Sequence, residues 1–454
     1  MQCITQPVSN LGLRLIQALR ARLLELAFVA RHRQREEDFT RQRHLNFRFV
    51  MLFILQKTVK SIQRHLTECL KELAAGASFG SVTPGAWSHA RAKLKHTAFI
   101  ELNRDCLLPL AYEDKAFDSP HRWRGHRLLG VDGSLVRLPN TAKVGEKYGW
   151  KEVSNQNGAT GTRFPEGRMS VLFDVLKRIG LDARLEPSKM GEVALAIEQL
   201  QHLGPGDIAI NDRGFSGYVY FASILQQGAH FIGRCSTGSF LQAQHMFRLD
   251  RANQSHVVWL FAPADQKAEC QRLGLPLKIK VRFVSVRLPT KELEVLATSL
   301  LEEELYPTEE FLTVYHWRWN HETYYLMLKG RLDLENFSGQ TVEAVEQDLH
   351  AAVLLANLES LLSQPVQATL TLGKTSAAQS LQVNHAVSYH ALKTQLFEML
   401  YQDIPAQEVL GQLLILFAKS PVAVRPDRKV PPRSKRMSYH RSYHYQRRVK
   451  KVVF

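Results

Sequence analysis

Four residues in an otherwise aromatic and aliphatic run carry the first chemical signal: Tyr315, Arg318, Glu322 and Lys329 within YHWRWNHETYYLMLK. Read as an α-helix at about 100° per residue, Arg318 falls near −60°, Glu322 near −20° and Lys329 near −40° of Tyr315. The four therefore share one face. Trp317, Tyr324, Met327 and Leu328 project to roughly 120–220°, which predicts an apolar face on the core and a polar stripe looking the other way. An Arg–Glu pair four residues apart is common on exposed helices and contributes only about 0.2–0.5 kcal/mol. A carboxylate flanked by a phenol and two cations can do more: it can hold a divalent metal beside a phosphodiester whose oxygens the cations neutralise.

Such chemistry needs further carboxylates, because two Mg²⁺ ions roughly 3.5–4 Å apart must be bridged while attacking and leaving oxygens lie in line. Two aspartates are placed for it. Asp132 follows the apolar run RLLGV and precedes Gly133-Ser134; Asp212 follows GDIAIN and precedes Arg213-Gly214-Phe215. Both are expected at strand ends, where open α/β sheets gather their sites and glycines let a ligand approach the backbone. Either aspartate alone reads as a turn or cap residue, and the combination is the specific signal. Asp174, inside SVLFDVL, is a competing buried carboxylate, expected to pair with a nearby Arg or Lys.

These residues need a scaffold. At 454 residues the chain should divide into two to four units. Residues 10–75 carry basic residues among leucines at helical period, predicting two long amphipathic helices; Thr83-Pro84 then caps a short basic helix that fits a DNA groove or an ordinary helical domain equally well. From about 126 the pattern turns to strands, then helix, strand, helix, strand, which predicts a sheet flanked by helices. Residues 236–305 are again strand-rich, with HVVWLFAP, KIKVRFVSV and LEVLATSL, and helices follow to about 418. The domains expected are a helical DNA-binding region over 1–120, a catalytic domain over 121–345 with a β-rich insertion at 236–305, a helical region over 346–420 and a flexible basic tail over 421–454.

The formal net charge of +16 points to a polyanionic partner. The apolar patch FRFVMLFILQK is too short to span a bilayer, no secretory signal is evident, and an intracellular location without membrane attachment is expected. Five dispersed cysteines, Cys3, Cys69, Cys106, Cys235 and Cys270, without any Cys-x-x-Cys pair, predict buried thiols rather than a disulfide framework or zinc site.

With those residues in view, the chain resembles DDE transposases of the insertion-sequence type, in the family four group, whose third catalytic residue sits in a Tyr-(2)-Arg-(3)-Glu-(6)-Lys signature. Tyr315, Arg318, Glu322 and Lys329 keep every spacing of that signature. VDGSLVRLP matches the strand of the first aspartate, NDRGFSGY that of the second, and the similarity covers about residues 80 to 360. The resemblance implies an α/β, RNase H-like mixed-sheet core with a β insertion, preceded by a helical N-terminal domain and followed by a helical C-terminal region. It implies that Asp132, Asp212 and Glu322 ligate two Mg²⁺ ions, for which Mn²⁺ can substitute, and that Tyr315, Arg318 and Lys329 contact DNA phosphates. Arg213 is a further DNA-binding candidate, and Trp259 in HVVWLF is the candidate to hold a flipped base, against its plainer reading as a core strand residue. The implied partners are double-stranded DNA, as inverted-repeat ends and target, and a second copy of the chain in a homodimer on paired ends. The implied location is the bacterial cytoplasm, associated with the nucleoid. Two other readings stay open: an RNase H-like nuclease without strand transfer, and an inactive DNA-binding derivative acting as repressor.

Overall fold

The computed structural model describes residues 10–41, 44–57, 61–73, 82–113, 115, 119–154, 160–372 and 380–424. Most of the basic tail expected from 421, from residue 425 onward, lies outside the described residues. The chain divides into two compact units, one of Met1–Glu113, Arg137–Pro165 and Met327–Phe454, the other of Asp114–Val136 and Glu166–Leu326.

The first unit is mainly helical. Where leucine periodicity predicts two long helices, four form: Asn10–Leu24, Leu26–His32, Phe47–Gln56 and Ile62–Leu73. Glu25 takes an extended conformation (φ −70°, ψ 119°) and interrupts the first pair, and Lys57 (φ 26°) ends the third helix. Leucine spacing records which face is buried; it does not record single residues that leave the helical basin. The apolar run FRFVMLFILQ is a buried helix, and among the described residues no helix is long and apolar enough to cross a membrane. Thr83 caps the helix Pro84–Arg91, its Oγ1 accepting the Ala86 N–H at 3.2 Å. Arg91 turns inward from that helix to an ion pair with Asp348 at 2.8 Å and a hydrogen bond to Gln347 at 2.7 Å, both on the 31-residue helix Val342–Leu372. Cys69, Cys106, Cys235 and Cys270 are free and buried.

Nine strands are named here in chain order: β1 (Arg127–Arg137), β2 (Trp150–Ser154), β3 (Thr160–Asp174), β4 (Ile179–Pro187), β5 (Asp207–Asn211), β6 (His230–Arg234), β7 (Ser255–Phe261), β8 (Lys278–Arg287) and β9 (Leu293–Thr298). β2, in the first unit, pairs antiparallel with the opening of β3, Trp150 facing Pro165. The second unit carries a mixed sheet in the order β4-β3-β1-β5-β6-β9-β8-β7. β1, β5 and β6 run parallel at its centre, and β3–β4, β6–β9, β9–β8 and β8–β7 pair antiparallel. The architecture is the mixed α/β class expected. Its core is built from aliphatic and aromatic side chains of β1, β5, β6, β8 and β9 and of the helices covering them, among them Phe221, Phe231, Phe283 and Val295.

The 236–305 segment is strand-rich as expected and also holds two helices, Leu241–Leu249 and Lys267–Arg272. Its strands extend the sheet: β9 pairs with β6, Ile232 opposite Thr298, and β8 and β7 follow outward. Asp174 is fully buried, and its Oδ1 accepts the backbone N–H groups of Leu176 and Lys177 at 3.0 and 2.8 Å, which secures the turn between β3 and β4.

Candidate active site

The register of the central strands places the two aspartates. β1 and β5 pair in parallel from Arg127↔Asp207 to Gly130↔Ile210, and the bidentate Arg127–Asp207 ion pair (2.6 and 2.7 Å) secures the near end. Asp132 and Asp212 each lie two residues beyond the last pair. Asp212 keeps extended backbone (φ −77°, ψ 172°), so continuing the register by two residues sets the two level on neighbouring strands, with their carboxylates near enough to repel. Asp212 occupies the strand end expected of it. Asp132 does not: β1 continues to Arg137, and Asp132 sits where pairing with β5 stops while the strand itself runs on.

That arrangement loads charge onto a half-buried carboxyl. Burial, with the Glu192 and Asp212 carboxylates close by, pushes Asp132 up to about 6, against the stabilising Gly133 N–H (2.8 Å from Asp132 Oδ1) and the Arg318 cation. Glu192 is ion-paired with Arg168. A Cβ on Gly133 would lie 2.8 Å from the Glu192 side chain, so only glycine lets this fourth acid come so near Asp132.

The signature segment is not one straight helix. Helices Glu310–His316 and Trp319–Gly330 meet at a tightened turn, where Trp317, Arg318, Asn320 and His321 each donate to the carbonyl three residues back, at 3.2, 3.1, 3.0 and 2.9 Å. In such a turn side chains three apart eclipse, which brings Tyr315 and Arg318 onto one line. The stripe is also less exposed than a face turned to solvent would be: Tyr315 is 3% and Arg318 5% exposed. Both face the carboxylates. Tyr315 Oη donates to Asp212 Oδ1 at 3.3 Å, and Arg318 Nη2 donates to Glu322 Oε1 at 3.1 Å. Burial works against the Arg318 charge, and Tyr315, Asp212 and Glu322 outweigh it and raise the guanidinium above its ordinary value.

Three contacts key the Glu322 helix onto the sheet. Asn320 Nδ2 donates to the Val175 carbonyl at 2.9 Å. His321 stacks between Phe173 and Tyr325, with ring centroids 5.2 and 4.9 Å away, and comes so close to β1 that a Cβ on Gly130 would lie 3.2 Å from its Nδ1. Tyr325 Oη donates to the Asp132 carbonyl at 2.5 Å. Gly130 and Asp132, two apart on β1, present the same face. The helix with the third carboxylate thus packs over the face bearing the first.

Among the described residues no three carboxylate, imidazole or thiol groups are gathered closely enough to enclose one metal ion. Asp132 and Asp212 are neighbours, and the Glu322 carboxylate is engaged by Arg318. The donor chemistry nevertheless fits a hard divalent cation: all three are oxygen ligands, and Asp132 already feels the mutual repulsion that such a cation relieves. Lys329, at the far end of its helix, is 3.7 Å from Glu335. Arg213 is exposed in the short turn after Asp212. Trp259 is 54% exposed on β7, with Lys278 Nζ 5.2 Å from its ring centre, so it is not a core strand residue. Sequence reasoning missed Glu192, His321 and Tyr325. For Tyr325 the helical projection held a signal, since it falls at about −80°, just beyond the Arg318 edge of the stripe; its neighbours in TYYLML made it read as core.

A family model described as a transposase DDE domain matches residues 123–358, more than half of the chain. No curated protein matches. Among solved structures, a cryo-EM structure of the piggyBac transposase synaptic complex with hairpin DNA aligns at a TM-score of 0.40 and 10% identity, covering 95% of this chain and 90% of that one.

Proposed function

The chain belongs to the transposase DDE-domain family, and from that premise we propose that Asp132, Asp212 and Glu322 are the carboxylates with which it cleaves DNA at the ends of an insertion sequence and joins them to target DNA. Strongest among the supporting observations is the level placement of Asp132 and Asp212 on adjacent parallel strands, with the Glu322 helix keyed over the same face.

Asp132, Asp212 and Glu322 would hold Mg²⁺, two ions in the full reaction, with Mn²⁺ as a substitute. The metal supplies polarisation of the scissile phosphate and a lowered pKa for the attacking water or 3′-OH. The chain's own groups do the rest. Arg318 is held at the carboxylates by Tyr315 and Glu322, and with Lys329 and the exposed Arg213 it supplies positive charge for phosphate oxygens. Tyr315, hydrogen-bonded to Asp212, fixes one carboxylate. Trp259, on the outermost strand with Lys278 over its ring, holds an unpaired base. The Tyr-Arg-Glu-Lys spacing supports membership of the family four group. A homodimer pairing two ends, in the nucleoid of a bacterial cytoplasm, completes the reading, and the +16 charge suits that partner.

The decisive variant is Glu322→Gln, which keeps shape and loses ligand charge. It is expected to abolish Mg²⁺-dependent nicking of DNA carrying the inverted repeats that flank the gene while leaving affinity for that DNA nearly unchanged. Nicking at the wild-type rate would remove Glu322 from the site.

A further inference from the structure

Tyr325 lies one turn beyond Glu322 and is 6% exposed. Its single hydroxyl makes two hydrogen bonds to backbone of two different strands: it donates to the Asp132 carbonyl on β1 at 2.5 Å and accepts the Val171 N–H on β3 at 3.0 Å. Its ring stacks on His321, the residue before Glu322. Both ends of this bridge therefore touch metal-ligand positions, through the helix backbone on one side and the Asp132 peptide on the other. A phenylalanine would fill the same volume and keep the stacking, but would lose both hydrogen bonds from this side chain to the strands. Nothing in the packing requires a hydroxyl; the link between the Glu322 helix and the Asp132 strand does.

We propose that Tyr325 is a positioning residue of the metal site: its bridging hydroxyl sets the spacing between the strand carrying Asp132 and the helix carrying Glu322. The proposal rests on the assignment of those two carboxylates as metal ligands. Tyr325 touches neither substrate nor metal and acts through the backbone of a ligand, as the outer partners of metal sites do.

The test compares full-length wild type, Tyr325→Phe and Asp132→Ala, using Mn²⁺ as the probe in calorimetry, with thermal unfolding and DNA affinity measured in parallel. For Tyr325→Phe we expect Mn²⁺ affinity to fall roughly 10–100-fold, with DNA affinity unchanged and the concentration of Mg²⁺ needed for half-maximal nicking raised in proportion. A general packing defect would lower the unfolding temperature and DNA affinity together, and that pattern overturns the proposal. Mn²⁺ binding that depends on Asp132 yet is as tight in Tyr325→Phe as in wild type also overturns it, and leaves the carboxylate assignment standing. Mn²⁺ binding unaffected by Asp132→Ala overturns both. Should Tyr325→Phe not fold, a fluorinated tyrosine incorporated at 325 keeps the size and changes only the hydroxyl's donor strength; unchanged Mn²⁺ affinity there rejects the positioning role.

Discussion

Asp132→Asn is expected to make the metal-free protein more stable. Burial and the Glu192 and Asp212 carboxylates lift the Asp132 carboxyl from an ordinary 3.8 to about 6. Ionising it in the folded state therefore costs on the order of 3 kcal/mol more than in the unfolded chain at neutral pH. The sign follows from proton counting: between about pH 4 and 6 the folded protein binds more protons than the unfolded one, so stability falls as pH rises and is level above that window. Asparagine removes the charge and keeps an oxygen for the Gly133 N–H. After allowance for burying the amide and for solvent screening, the gain at pH 7.5 should be about 1–3 kcal/mol, shrinking to roughly half at pH 5. The assay is urea unfolding in EDTA for both proteins across that range, repeated with Mn²⁺. Mn²⁺ should stabilise wild type and leave the variant unmoved, closing or inverting the gap. A variant less stable than wild type at pH 7.5, or a gap indifferent to pH, would refute the electrostatic reasoning.

Other substitutions probe other parts of the site. Gly130→Ala sets a methyl 3.2 Å from His321 Nδ1, with Val175 and the Ile210 carbonyl at 3.5 Å, and His321 is held between two rings; a loss of about 1–3 kcal/mol with reduced nicking is expected in urea and cleavage assays, whereas Gly214→Ala, with open space around it, should keep the wild-type unfolding midpoint. Trp259→Ala should leave the unfolding midpoint within about 0.5 kcal/mol because the ring is largely exposed. The same variant should weaken binding to DNA with an unpaired base by about 1–3 kcal/mol, and equal losses on fully paired duplex would contradict a stacking role.

The residues with periodic or punctuated context were legible before any coordinates. The strands β1, β3 and β4, the alternation of helix and strand from there to β6, the β8–β9 hairpin through Pro289-Thr290-Lys291, and the Thr83 cap all follow from alternation, helical period and turn residues, whereas the helix Ala142–Tyr148 and β2 did not declare themselves. Relations fixed by register were not. That Asp132 and Asp212 stand level depends on Gly130 pairing with Ile210, which neither strand's own pattern encodes. The tightened turn at Trp317–Arg318 was equally hidden, since a helical projection assumes a constant pitch. Glu192 escaped notice because its contribution is proximity: it reaches Asp132 across the space that Gly133 leaves open. The helices Leu241–Leu249 and Lys267–Arg272 lie in a segment whose strands dominate the pattern and are too short to declare a period of their own.

Locating the metal itself tests the site most directly. In crystals of the protein bound to DNA and equilibrated with Mn²⁺, anomalous scattering should show a peak between the Asp132 and Asp212 carboxylates, with an oxygen of each about 2.1 Å from the ion and Glu322 released from Arg318 to join them. A site empty at saturating Mn²⁺, or a peak coordinated by other residues, would contradict the assignment of these three carboxylates.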